Sequence, residues 1–181
     1  MEQKAVDSTE TLRTSGRLTK LVHLGEVAVT NATDERPKVG TGGLNTCIGI
    51  AIFDPDVKVG GVAHVYFDEI DHMRTVGFTT PEVEAAIKFA QEAGKPFGEF
   101  NYYARRLIET GEGIGGKNWV FYVFNVNSSY RSGSQNEQIN TRVEEIISEL
   151  KRKGQFQGSE FRKEQDFKLD TRTGLITKLI S

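Results

Sequence analysis

The sequence is short of the residues that most readily announce a function. One cysteine, Cys47, stands in 181 residues. An intramolecular disulfide is therefore impossible, and a Cys-rich zinc or iron–sulfur site has too few thiolates. Net charge is also scarce: 23 Lys+Arg against 25 Asp+Glu leaves −2, which excludes a strongly basic nucleic-acid binder and an acidic disordered tail. Apolar runs such as Ile48–Phe53 fall far short of the ~18 residues that span a bilayer. Residues 1–20 are polar and mixed in charge, without the apolar segment of a secretory signal. These absences lead us to expect a cytoplasmic protein without nucleic-acid partners or membrane insertion. A flexible N-terminus is expected over residues 1–20 and a single domain over 21–181, large enough to bury about 70% of its unfolded surface.

What is present alternates between two periodicities. Leu21–Val29 is rich in β-branched residues and reads as a strand, followed by a polar loop from Asn31 to Lys38. Leu44–Asp54 and Val59–Asp68 read as two further strands joined by an Asp54-Pro55-Asp56 turn, a hairpin. Thr80-Pro81-Glu82 is an N-cap and first-turn signal for a helix ending near Gly94, with Val83, Ala86, Ile87 and Ala90 on its buried face. A second helix is expected over Glu99–Thr110, and a doubly covered strand over Asn118–Val126. Glu137–Lys153 again has helical spacing, with Val143, Ile146, Ile147 and Leu150 inward and cations at its C-terminal end. Phe167–Asp170 and Leu175–Ile180 read as a closing hairpin around Thr171–Gly174. The order predicts an α+β fold of packed mixed or antiparallel sheets flanked by helices.

The first hairpin carries the chemistry. A loop symmetric about the Pro55–Asp56 bond pairs Phe53 with Lys58, Ala51 with Gly60, and Cys47 with His64. Directly opposed residues share a face with Cβ atoms ~4.5–5.5 Å apart, which would set the single thiol beside an imidazole. Such a neighbour is expected to lower the thiol pKa toward neutrality and activate it as a nucleophile. Thr41 lies six residues upstream, where its hydroxyl would orient the ring. Thr41-Gly42-Gly43 forms a polar approach whose backbone N–H groups can point at a ligand. Gly43, Asn45 and Thr46 are accordingly the candidate substrate-binding or oxyanion residues.

The run Thr41–Pro55, followed by Val59-Gly60-Gly61-Val62-Ala63-His64, resembles the core signature of the CheD family, the chemoreceptor glutamine deamidases. That family has a Thr, a Cys six residues on and a His seventeen after the Cys. Both spacings are kept, as are the Asp-Pro turn and the Gly-Gly before Ala-His. The family commonly has Gly-Ser before the cysteine, where this chain has Asn45-Thr46. Weaker similarity continues at Gly133–Asn136 and from Arg162 to Gly174. The resemblance implies a CheD-like sandwich and a Cys47–His64–Thr41 triad that converts a protein glutamine to glutamate with no cofactor and no metal. It implies a protein substrate, such as a chemoreceptor, and a signalling phosphatase as a further partner. Alternatives on the same residues are a transglutaminase, an amidase aimed at a host or other non-chemotaxis protein, and a non-enzymatic adaptor.

Overall fold

The structure is a computed structural model describing residues 18–65, 88 and 98–179. Among these, nine strands form two sheets and two helices cover one of them. The strands are β1 (Thr19–Leu21), β2 (Val27–Asn31), β3 (Lys38–Thr41), β4 (Ile48–Asp54), β5 (Val59–Val65), β6 (Trp119–Phe124), β7 (Phe156–Arg162), β8 (Phe167–Asp170) and β9 (Leu175–Thr177). The helices are α1 (Gly98–Gly113) and α2 (Gly133–Arg152). One sheet has the order β1-β3-β8-β9 and the other β2-β5-β4-β6-β7, each mixing parallel and antiparallel pairs. The fold is α+β, as the element pattern predicts.

Strand β4 shows how the layers are fixed. All seven of its residues are buried, and its alternation sends two sets of side chains to two different cores. Ile48, Ile50 and Ile52 join Tyr103, Leu107, Val143 and Ile146 beneath the helices. Ala51 and Phe53, with Cys47 just before the strand, face Val39, Phe167 and Leu169 of the other sheet. Phe124 of β6 stacks almost parallel on Phe167 of β8 and ties the two sheets together. Helix α2 starts at a full capping box, in which the Ser132 hydroxyl accepts from the Gln135 N–H and the Gln135 side chain accepts from the Ser132 N–H.

Several expectations need correction. The strand expected over residues 21–29 is two, β1 and β2, which belong to different sheets; a turn with Gly25 at φ 76° separates them. The expected domain boundary at residue 20 falls inside β1. Strand β3 and the edge strand β7 were not expected; β7 mixes Gln, Ser, Glu and Arg and shows no apolar alternation. Of the helix expected from Thr80 to Gly94 only Lys88 is among the described residues, and it is helical; the rest lies outside them.

The hairpin register also differs. Asp54 pairs with Val59, and Gly49, not Cys47, pairs with His64. The loop has four residues, closed by the Lys58 N–H donating to the Asp54 carbonyl at 2.9 Å, with Lys58 at φ 58°. The Asp54 carboxylate accepts from the Asp56 N–H at 3.0 Å and so orders the turn. Lengthening the loop by two residues shifts each partner by two, and an even shift keeps every side chain on its face. His64 therefore still shares the inter-sheet face with Cys47, one diagonal step away.

At Gly49 a Cβ would lie 2.7 Å from Phe167 and 2.9 Å from Leu44. Gly49→Val is expected to force these layers apart and cost about 1–3 kcal/mol in chemical denaturation.

Candidate functional site

His64 is held at both ends of its peptide unit before its side chain does anything. Its N–H donates to the Glu26 carbonyl at 3.2 Å, and its carbonyl accepts from the Gly25 N–H at 2.9 Å. The turn at residues 23–26 that provides these partners is closed by the Glu26 N–H on the His23 carbonyl at 3.0 Å. Strand β3 brings Thr41 to the same place from the other sheet, in register with Phe167 of β8.

The Thr41 hydroxyl and the His64 ring are joined, with Oγ1 2.8 Å from Nδ1. Thr41 Oγ1 also donates its one proton to the Val22 carbonyl at 2.6 Å. A hydroxyl with its proton spent can only accept from the ring. That assigns the Nδ1–H tautomer and leaves the Nε2 lone pair bare. Nε2 is buried and, among the described residues, has no hydrogen-bond partner. Buried polar atoms are rarely left so.

Cys47 lies on the same sheet face, in the bend that leads into β4. It is 8% exposed, and no hydrogen bond joins its thiol to the ring. The expected activation by a lowered pKa is overturned. Burial pushes the Cys47 thiol up to about 11, against smaller opposing effects from the Thr46 hydroxyl and the Arg131 charge. Burial also pulls His64 down to about 4; the nearby His23 adds to this and Glu26 opposes it. At neutral pH the site holds a thiol and a neutral imidazole, not a thiolate–imidazolium pair.

The loop before the cysteine has its carbonyls turned inward. Asn125 Nδ2 donates to the carbonyl of Leu44, to that of Asn45 at 3.0 Å and to that of Cys47 at 3.0 Å. Ser128 Oγ donates to Asn45 at 3.2 Å, and Arg131 Nη1 donates to Thr46 and Cys47, each at 3.2 Å. The described peptide bonds are all trans, and a trans unit points its C=O and N–H in opposite directions. The N–H groups of Asn45, Thr46 and Cys47 are thereby directed away from the clamp. Of the expected substrate-binding residues, Asn45 and Thr46 thus offer amides; Gly43 provides a left-handed turn at φ 72°. The Leu44 N–H is committed to the Gln165 carbonyl at 3.1 Å.

Asn125, Ser128 and Arg131 escaped the sequence reading. Their separation from the loop by about eighty residues gives no local signal, although Asn beyond a strand end is a residue that accepts the left-handed conformation seen here at φ 59°. A cavity of about 240 Å³ opens over Thr41, Gly42 and His64 and is walled by Val22, His23 and Leu179. No family model matches the chain, and no curated protein matches it significantly.

The two shifted groups make stability depend on pH in opposite directions. Between 6.5 and about 4 the unfolded chain binds a proton at His64 that the folded chain refuses, so this stabilisation is lost as pH falls through that window. Between 9.0 and about 11 the unfolded chain releases the Cys47 proton first, so stability is lost as pH rises. Urea midpoints of the wild type should fall between pH 6.5 and about 5, above most carboxylate titrations. His64→Gln should flatten that slope, and an unchanged slope would contradict the assigned burial of a neutral ring.

Proposed function

We propose that the chain is a cysteine-dependent protein-glutamine amidase. The observation that carries this reading is a ring whose Nδ1 is fixed by Thr41 and whose Nε2 has no partner among the described residues, on the sheet face that also carries the only thiol. The CheD-like spacing of Thr41, Cys47 and His64 supports it independently.

In this reading Cys47 Sγ attacks the carboxamide carbon of a substrate glutamine as its proton passes to His64 Nε2. The developing oxyanion is met by the outward amides of the residue 45–47 loop. The C–N bond then breaks, ammonia leaves with the proton from His64, and a thioester remains. Water attacks the thioester, gives a proton to His64 and releases glutamate; that proton returns to the sulfur. The neutral resting pair suits this sequence, because the base must be unprotonated at the outset and proton transfer accompanies attack. The cavity of about 240 Å³ reaches His64 and Thr41 but is not lined by Cys47 or the residue 45–47 loop, so it gives access to the proposed base and not to the thiol. The proposed setting is the cytoplasm, with a chemoreceptor as first candidate substrate and a host protein as the alternative. Among the described residues no helix is long and apolar enough to cross a membrane.

One observation favours a second reading. A thiol 8% exposed and pushed up to about 11 also describes an inert core cysteine, as in a non-enzymatic adaptor on the same fold, binding a receptor or signalling phosphatase. A glutamine-mimicking electrophile separates the two, since the amidase captures it on Cys47 and the adaptor does not.

Intact-mass spectrometry of candidate substrates should show the gain of about one dalton that marks amide-to-acid conversion, and Cys47→Ser should slow it by about 1,000-fold or more. Conversion at the wild-type rate by Cys47→Ser would remove the amidase reading. Ammonia release measured with and without an added amine distinguishes hydrolysis from transglutamination.

A further inference from the structure

Among the described residues Arg131 is a buried cation without an anion. Its side chain belongs to a residue only 6% exposed. It donates through Nε to Asn136 Oδ1 at 3.0 Å, through Nη1 to the carbonyls of Thr46 and Cys47, and through Nη2 to the carbonyl of Asn125. Every partner is neutral. Among the described residues no carboxylate lies within ion-pair distance of it, although Arg105, Arg142, Arg162 and Arg172 each have one. A buried charge normally has a counter-charge, because desolvation otherwise costs several kcal/mol. Among the described residues, Cys47 is the one ionisable group whose charge bears on Arg131, and Arg131 the one charge that bears on Cys47.

Its placement is as specific as its charge. Arg131 Nη1 donates to the carbonyl of the Thr46–Cys47 peptide, whose N–H belongs to Cys47 and points the other way. A peptide that accepts a charged hydrogen bond at its oxygen becomes a stronger donor at its nitrogen. Asn125 and Ser128 do the same for the peptides that present the Asn45 and Thr46 amides. Asn125 adopts a left-handed φ of 59° to reach three carbonyls at once, and Asn136 is held for Arg131 by donating to the Ser128 carbonyl at 3.1 Å. These side chains form one connected layer behind the loop.

We propose that Arg131 is the positioning residue of the site, fixing the residue 45–47 amides toward the substrate and providing the standing positive charge that the Cys47 thiolate and the tetrahedral anion neutralise. This rests on the amidase reading and deepens it by naming what holds and charges the oxyanion site. No proton or electron moves to Arg131 in any step; it acts through the peptide it binds and through its field.

The charge makes a prediction of definite sign. If Arg131 were only a staple for the loop, Arg131→Met would loosen the loop, expose Cys47 and leave alkylation by iodoacetamide at pH 8 unchanged or faster. With the proposed role, loss of the charge raises the thiol pKa, and alkylation slows about tenfold. With a glutamine substrate, kcat should fall about tenfold or more while KM stays within about twofold, as for an interaction made only in the transition state. Asn136→Asp is the second variant, nearly isosteric, which gives Arg131 a carboxylate of its own at the Nε position and should slow alkylation in the same direction. Alkylation at the wild-type rate or faster in either variant, with a wild-type fold by circular dichroism, overturns the proposal. Because alkylation needs no glutamine, that result would leave the amidase reading standing; failure of the amidase reading would appear instead as conversion that does not depend on Cys47.

Discussion

The hydroxyl of Thr41 has one proton, and the Val22 carbonyl takes it. The rest of the site follows from that choice. The oxygen is left able only to accept, so the His64 ring must offer Nδ1–H and keep its lone pair on Nε2. Three strands meet to make this possible: β1 runs directly into Val22, β3 ends in Thr41, and β5 carries His64. Two of them belong to one sheet and one to the other. The packing of the two sheets is therefore also the alignment of the proposed base. Gly49 and Gly60, where a Cβ would meet Phe167 and Leu169 below 3.0 Å, set how closely those sheets approach.

Burial sets the second constraint, and its magnitude bears on the proposed mechanism. Desolvation of the thiol and the imidazole moves their pKa values apart, to about 11 and about 4, whereas proton transfer within a resting ion pair would need them reversed. At neutral pH both groups are uncharged, and on the proposed reading they become charged only as substrate is attacked. On the proposed reading, what offsets the later charge separation lies behind the loop: carbonyls turned toward Asn125, Ser128 and Arg131, outward amides, and a guanidinium that has no carboxylate among the described residues. In the proposed amidase, stabilisation of this kind acts on the developing anion and not on the resting site.

Much of this arrangement was legible in the sequence, for identifiable reasons. Alternation and helical spacing report burial, so β4, β5, β6, α1 and α2 were readable to within a few residues. The even register shift at the Asp54–Val59 loop spared the inference that Cys47 and His64 share a face, although it displaced the direct partner to Gly49. Strand β7 was not legible because its hydrogen bonds to β6 and its mostly polar, exposed side chains leave no hydropathy pattern. The thiol's electrostatics were not legible because the nearby imidazole shows in the sequence spacing and the apolar surroundings of the inter-sheet core do not. Arg131 was invisible for a different reason: all its partners but the Asn136 side chain are backbone carbonyls, which carry no residue identity.

The claim on which the account depends is the protonation state of one ring. Nitrogen-15 NMR of His64 at neutral pH tests it directly. Nδ1 should carry the proton and Nε2 should show the shift of an unprotonated, unbonded nitrogen, and Thr41→Val should abolish this preference. A ring protonated on Nε2, or on both nitrogens, at neutral pH would contradict it.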